Sequence, residues 1–145
     1  MRFYMAHPFD ERLNVREQQL KLQQAFPQHE FIDPFYDCDP FPIIGEIDGG
    51  KCDRWDRWAV DFELIINHDL ELIRQSDAVI AFVKGPCYGT IFEVVNAALV
   101  FRLPVIIVVE PPYHNHPWLA YYATDIFQSW DSLIAAWKEA DANTG

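Results

Sequence analysis

The sequence has few cysteines and no long apolar run, and each shortage excludes a class of protein. Its 145 residues include three cysteines, no two of them spaced as C-x-x-C, so we expect neither a disulfide framework nor a thiolate zinc site. No apolar run reaches the length of a membrane span. The first residues lack the charged-then-apolar layout of a secretory signal, which predicts a cytoplasmic protein.

Basic residues are scarce as well. Lys and Arg number 11 against 22 Asp and Glu, which gives a formal net charge of -11. A surface this acidic repels a phosphate backbone and argues against binding to a nucleic-acid polymer. Hydrophobic residues, by contrast, make up 50% of the chain. A chain of this length and composition can bury a substantial core, so we expect one domain spanning residues 1–145.

Apolar runs alternate with amphipathic segments along the chain. The predicted strands are Phe3 to Ala6, His29 to Asp33, Ala78 to Val83, Pro104 to Val109 and Ile126 to Gln128; the predicted helices are Glu11 to Phe26, Trp58 to Gln75, Tyr88 to Phe101 and Ser132 to Ala140. Strands that alternate with helices indicate a parallel sheet covered on both sides. We therefore predict a flavodoxin-like, doubly wound α/β fold with a five-stranded, mainly parallel sheet and helices on both faces.

The segment from Pro34 to Asp56 interrupts this alternation. Its prolines and glycines do not permit a long regular element. A loop this long inside a compact domain is usually functional. We predict that it covers a ligand crevice and supplies contacts that select the ligand.

The position of that crevice follows from the predicted topology. Ligands of doubly wound sheets bind beyond the carboxyl ends of the strands, where the strand order reverses. In a flavodoxin-like order this point lies between the first and third strands, next to the segments Ala6 to Asp10 and Lys84 to Glu93. Gly85 and Gly89 allow the second segment to turn tightly and approach a ligand closely. We expect ligand contacts from His7, Pro8, Phe9, Cys87, Gly89 and Thr90; the alternative for His7 is a simple turn residue.

Glu93 is the strongest candidate for a reacting group. The turn carries it into the first turns of the following helix, where the helix dipole favours an ionised carboxylate. An ionised carboxylate aimed into a crevice is suited to nucleophilic attack on an anomeric carbon. The alternative is an exposed first-turn glutamate without a chemical role.

Asp69 and Tyr4 are further candidates. Asp69 interrupts the apolar stripe of the helix Trp58 to Gln75, and a buried carboxylate is costly unless it is paired. Its alternative is a local cap or a hydrogen bond to a loop backbone. Tyr4 points to one face of the predicted sheet, where a single tyrosine is more often part of the core. The pair His114 and His116 has no nearby carboxylate and is more often an exposed loop than a metal site.

Three segments together resemble the nucleoside 2-deoxyribosyltransferase family. The opening Tyr4-Met5-Ala6-His7-Pro8-Phe9 is similar to the family's Tyr-x-Ala-x-Pro-Phe. The run from Asp69 to Asp77 is similar to its Asp-x-x-x-Ile-x-x-Ser-Asp, and Gly89 to Ala97 to its Gly-Thr-x-x-Glu-Ile-x-x-Ala. The resemblance continues into the strand at Pro104 and covers roughly residues 3 to 109 in order and spacing.

The resemblance implies a role for each candidate residue. Glu93 would be the nucleophile, held by a hydrogen bond from Tyr4, and Asp69 would contact the sugar or help to protonate the departing base. It implies neither a metal nor an organic cofactor. Active sites of the family are commonly completed by a neighbouring subunit, so it implies a homo-oligomer, and the Pro111 to Trp118 loop is where we look for the donated residue.

The chain also departs from the family pattern. Cys87 stands six residues before the candidate nucleophile, where transferases often carry an aspartate and related deoxynucleoside monophosphate N-hydrolases a serine. His7 replaces a residue that is often glycine. Three functions stay open: deoxyribosyl transfer between nucleobases, hydrolysis of a deoxynucleoside monophosphate, and non-catalytic binding of a nucleoside or nucleotide. The presence of both Glu93 and Asp69 argues against the third.

Overall fold

The computed structural model describes residues 1–37 and 62–144. Its five strands are β1 (Arg2–Ala6), β2 (Glu30–Ile32), β3 (Ala78–Val83), β4 (Val105–Val109) and β5 (Asp125–Phe127). They form one sheet in the order β2-β1-β3-β4-β5, and every neighbouring pair is parallel. The predicted flavodoxin-like topology is confirmed, and the strand order reverses between β1 and β3.

Helices connect these strands on both sides of the sheet. They are α1 (Arg12–Ala25), α2 (Phe62–Arg74), α3 (Tyr88–Val95), α4 (Pro117–Tyr122) and α5 (Trp130–Thr144), with 3-10 turns at Phe9–Glu11 and Tyr113–Asn115. None of the helices in the described ranges is long and apolar enough to cross a membrane.

The helices differ from the sequence predictions at three places. The predicted helix Tyr88 to Phe101 is α-helical only to Val95 and continues as a π-helical turn over Asn96–Val100. The helix α4 was not predicted, although a proline at its first position is a typical start. The last helix runs to Thr144, four residues beyond its predicted end at Ala140.

Two predictions fall partly outside the described residues. Of the loop Pro34 to Asp56, only residues 34–37 are described, and they form a turn. Of the helix Trp58 to Gln75, the described part begins at Phe62. The crevice-covering role of the loop and the single-domain organisation stay predictions.

Successive residues of β1 point to opposite faces of the sheet. Phe3 and Met5 pack into a core with α1 and α5, whereas Tyr4 and Ala6 pack into a second core with α2, α3 and α4. All four side chains are buried. The two-residue period of β1 therefore places Tyr4 on the same side of the sheet as α3, which carries Glu93.

Candidate functional site

The site lies at the carboxyl ends of β1 and β3, where the strand order reverses. These neighbouring strands pair in parallel, with Tyr4 opposite Val79 and Ala6 opposite Ala81. The segments that follow them, residues 7–11 and 84–88, therefore leave the same edge of the sheet. This is the edge at which we expected a ligand to bind.

A hydrogen bond joins β1 to α3 at this edge. The hydroxyl of Tyr4 donates to Oε1 of Glu93 over 2.7 Å, across a separation of 89 residues in the chain. Tyr4 is fully buried, so its ring cannot turn away and its hydroxyl is held in place. One carboxylate oxygen of Glu93 is thus fixed, and the side chain is oriented by the sheet itself.

The protonation of Glu93 differs from the sequence prediction. Its pKa is raised to about 8, chiefly by burial and then by repulsion from Asp69, while the hydrogen bond from Tyr4 opposes the rise. Glu93 is the sixth residue of α3, whose first turn holds no acidic residue. The helix dipole acts mainly over the first turn and contributes at most about 1 kcal/mol, so burial outweighs it. The prediction of a first-turn carboxylate kept ionised by the helix is therefore wrong.

Tyr4 keeps its proton beside this carboxyl. Burial raises the pKa of the Tyr4 phenol well above its ordinary value, and the charges of Glu93 and Asp69 raise it further. The phenol is therefore a hydrogen-bond donor at any physiological pH. It can stabilise negative charge on Glu93, but it cannot serve as a base.

Asp69 faces the site from α2. Its carboxylate is partly exposed, with His68 Nδ1 3.4 Å from Oδ1, and its charge raises the pKa of both Glu93 and Tyr4. The apolar stripe proposed for this helix is only half correct, because Ile73 is buried whereas Ile66 is 57% exposed. Asp69 therefore lies at the border between the core and the crevice, where a carboxylate can stay hydrated.

The segment after β1 forms one wall of the crevice. Pro8 and Phe9 are partly exposed, and the guanidinium of Arg12 lies 4.2 Å from the centre of the Phe9 ring. The imidazole of His7 is fully buried. A contact between His7 and a ligand would therefore come from its backbone, and the side chain lies behind the wall.

The segment before α3 forms the opposite wall. Cys87 and Thr90 are buried next to each other at the start of the helix. Burial raises the pKa of the Cys87 thiol, so this side chain is a small neutral group and not a thiolate nucleophile. Gly85 has a φ of +66°, a conformation that favours glycine.

Gly89 offers a test of ligand approach to this wall. A Cβ built on Gly89 meets no described atom within 4 Å, so Gly89→Ala should fold and gain about 0.5–1 kcal/mol from the better helix former. If a ligand rests against the Gly89 backbone, the added methyl should raise KM about tenfold, the equivalent of roughly 1.4 kcal/mol. Thermal unfolding and steady-state kinetics measure the two effects.

The matched control is Gly85→Ala in the same segment. Because the backbone of Gly85 is left-handed, this change should destabilise the protein by about 1–2 kcal/mol. A stable Gly89→Ala protein with an unchanged KM would show that no ligand approaches Gly89.

Sequence reasoning missed one carboxylate of the site. Asp33 follows β2 directly, is completely buried, and raises the pKa of Glu93 and Tyr4 after the larger causes. The sequence does contain a signal for it. Asp33 ends the second predicted strand, and in a flavodoxin-like order the second strand lies next to the first, so its carboxyl end is close to the same crevice. The sequence prediction includes Asp33 in the strand His29 to Asp33 and places the ligand only next to the segments after the first and third strands.

Solved structures with this fold include two enzymes that act on nucleosides or nucleotides. A 2-deoxyribosyltransferase from Bacillus psychrosaccharolyticus matches with a TM-score of 0.67 and 17% identity, over 92% of this chain and 90% of that chain. The CMP N-glycosidase BcmB from Clostridium botulinum matches with a TM-score of 0.58 and 13% identity, over 97% and 99%.

Comparison at the level of sequence adds nothing to this result. No family model and no curated protein sequence matches the chain. At 13–17% identity the structural likeness establishes the fold alone. The protein therefore has the α/β fold of a 2-deoxyribosyltransferase and of a CMP N-glycosidase, the fold that the resemblance predicted.

Proposed function

We propose that the protein transfers a 2-deoxyribosyl group between nucleobases through a covalent intermediate on Glu93. The observation that carries the proposal is the 2.7 Å hydrogen bond from the buried Tyr4 to Glu93 at the switch point of the sheet. It fixes a carboxyl group at the edge where ligands of this fold bind. The two enzymes of the same fold support the choice of an N-glycosidic bond as the bond that reacts.

Glu93 and Asp69 divide the acid and base work between them. The charge of Asp69 raises the pKa of Glu93, so Glu93 holds a proton at neutral pH in the free protein, and this proton passes to Asp69 when the substrate binds. With the proton on Asp69, Glu93 is an anionic nucleophile and Asp69 is an acid. With a pKa of about 8, only about one tenth of Glu93 is ionised at pH 7 when no substrate is bound.

The reaction then proceeds in two displacements. An oxygen of Glu93 attacks C1′ of the deoxyribose, the C1′–N bond breaks, and its electron pair leaves with the base, which takes the proton of Asp69. In the second step a nitrogen of the incoming base attacks C1′ and releases the Glu93 carboxylate, while Asp69 accepts the proton of that nitrogen. The Tyr4 hydroxyl stabilises the carboxylate at the start and end of the cycle.

Hydrolysis of a deoxynucleoside 5′-monophosphate is the second candidate. It uses the same intermediate, but water replaces the incoming base. The observation that favours it is Cys87, a small neutral group at the position where the resemblance places an aspartate in transferases. The likeness to a CMP N-glycosidase points the same way. Non-catalytic binding of a nucleoside or nucleotide is disfavoured, because a binder has no use for a buried carboxyl with a raised pKa.

One incubation series separates these functions. The protein is mixed with each deoxynucleoside and each deoxynucleoside 5′-monophosphate, with and without a free acceptor base, and products are separated by chromatography. Transfer gives a new nucleoside only when the acceptor is present, and hydrolysis gives free base without it. A 2-fluoro-arabino nucleoside should leave a sugar adduct on Glu93 that mass spectrometry locates. If the protein binds a nucleoside or nucleotide but gives no product and no sugar adduct on any residue, its function is non-catalytic binding.

A homo-oligomer remains a proposal as well. The outer sides of α3 and α4 carry exposed aromatic residues, among them Tyr88, Phe92 and Tyr121. Exposed aromatic surface of this kind is common where subunits meet. The residue donated from the Pro111 to Trp118 loop, which the resemblance implies, stays a prediction.

A further inference from the structure

A second pair of ionisable groups is buried behind the crevice wall. His7 Nε2 lies 3.2 Å from Oδ2 of Asp33, and both side chains are completely inaccessible to solvent. Within residues 1–37 and 62–144, neither of these two atoms makes a well-aligned hydrogen bond. The contact is thus an ion pair without a well-aligned hydrogen bond. Each of the two atoms depends on the other to offset the cost of its removal from water.

The other polar atoms of the pair determine where its proton lies. His7 Nδ1 is 3.1 Å from the carbonyl oxygen of Pro8, which can only accept a hydrogen bond, so Nδ1 carries a hydrogen. A neutral ring of that tautomer would point the lone pair of Nε2 at a carboxylate oxygen. One proton must therefore lie between Nε2 and Oδ2.

The pair also links the two loops that leave β1 and β2. Oδ1 of Asp33 accepts a hydrogen bond from the Phe35 amide over 3.0 Å and so closes a turn. The Phe35 ring packs against His7, with 5.1 Å between ring centres, and edge-on against Phe9 at 5.5 Å. His7 thus stands between a turn after β2 and the Phe9 wall of the crevice.

We propose that His7 and Asp33 form a buried imidazolium–carboxylate pair that positions the Phe9 wall and compensates the negative charge of Asp33 beside Glu93. Both are positioning residues, because neither side chain reaches the crevice surface. Any effect on turnover rests on the proposed function, whereas the protonation of the pair and its influence on Glu93 do not.

The influence on Glu93 depends on which groups surround it. The described ionisable groups that bear on its carboxyl are Tyr4 from β1, Asp69 from α2 and Asp33 after β2, and Glu93 in turn bears on Cys87 at the start of α3. The proposed pair gives Asp33 a cationic partner in His7. Removal of the cation alone should therefore raise the pKa of Glu93, whereas removal of the carboxylate also releases the ring proton and should change that pKa little.

The test uses carboxyl ¹³C NMR of the full chain, with the Glu93 signal identified by its loss in Glu93→Gln. Asp33→Asn should leave the pH midpoint of the Glu93 titration within about 0.3 units of the wild type, because the carboxylate and the ring proton of His7 are lost together. His7→Asn keeps a donor for the Pro8 carbonyl but leaves Asp33 unpaired, so the midpoint should rise. Asp10→Asn, an exposed carboxylate-to-amide change in the same wall, should leave the midpoint in place.

A midpoint that is clearly lower in Asp33→Asn than in the wild type would overturn the compensating role, and this variant decides alone if His7→Asn does not fold. Imidazole ¹⁵N NMR supplies the second readout. At neutral pH both ring nitrogens of His7 should carry hydrogen in the wild type, and only Nδ1 in Asp33→Asn. A bare Nε2 in the wild type would refute the pair. Neither readout needs an active enzyme, so a failed activity screen would not be mistaken for a failed inference.

Discussion

Glu93→Gln should lose on the order of a thousandfold or more in kcat, because the amide oxygen cannot form the glycosyl ester. The amide keeps the size of the side chain and can still accept the hydrogen bond from Tyr4. Substrate binding should persist, so isothermal titration should give a Kd near that of the wild type. Single-turnover kinetics with the substrate found in the incubation series measure the loss.

The same variant should be more stable than the wild type at neutral and alkaline pH. The pKa of Glu93 in the folded protein, about 8, lies above its value in the unfolded chain, so the folded state binds the proton more tightly. The stability that Glu93 contributes through this bound proton is complete below about pH 4.5. It is lost as the pH rises through 8 and Glu93 ionises inside the folded protein. Glu93→Gln has no such loss and should gain about 1–3 kcal/mol at pH 8 to 9.

Glu110→Gln is the matched control, because Glu110 is exposed at the end of β4. It should change neither turnover nor the pH dependence of thermal unfolding. Full turnover in Glu93→Gln, or an adduct located on another carboxylate, would rule out the proposed nucleophile. Parallel unfolding curves of Glu93→Gln and wild type across this pH range would contradict the raised pKa.

Asp69→Asn should lower kcat/KM by about a hundredfold to ten-thousandfold and also move its pH dependence. The loss in rate is expected because an amide cannot protonate the departing base. In the wild type kcat/KM should fall as pH rises above about 8, because the free protein then loses the Glu93 proton that Asp69 must receive for the departing base. Without Asp69 no such transfer is possible and the pKa of Glu93 falls, so the residual kcat/KM should instead rise with pH as Glu93 ionises, with a midpoint below 8.

Tyr4→Phe should change the pKa of Glu93 in the direction opposite to Asp69→Asn. The Tyr4 hydroxyl lowers the pKa of Glu93 by hydrogen bonding, so removal of the hydroxyl should move the fall in kcat/KM to higher pH. The lost hydrogen bond should cost about 1 kcal/mol of folding stability at a pH where Glu93 is ionised. A fall at the wild-type pH in Tyr4→Phe would show that the pH dependence belongs to a group other than Glu93.

The topology could be predicted because its signals are local. The run Ala78 to Val83 is apolar throughout and is buried throughout, as expected for a strand covered on both faces. The short helix Pro117–Tyr122 was missed because six residues do not display a period, and its loop is rich in proline. The π-helical turn at Asn96 was missed because its apolar residues fit an α-helical stripe equally well.

The candidate site was predictable in its members but not in its electrostatics. The motif around Glu93 and the strand containing Tyr4 could be placed at one edge of the sheet from the sequence. The raised pKa of Glu93 arises from burial among segments distant in the chain, and no local pattern reports such burial. The same holds for His7, whose contact with Asp33 joins two loops 26 residues apart.

The position of β1 also has a consequence for the order in which the protein assembles during synthesis. Its residues are buried between β2 and β3, and Phe3 pairs with both Phe31 and Ala78. At ordinary rates of translation, roughly 4 to 15 seconds separate the emergence of Phe3 from that of Ala78. Throughout that interval the apolar strand that carries Tyr4 lacks its β3 neighbour, so one edge of it is open to other chains and the nascent polypeptide is exposed to aggregation.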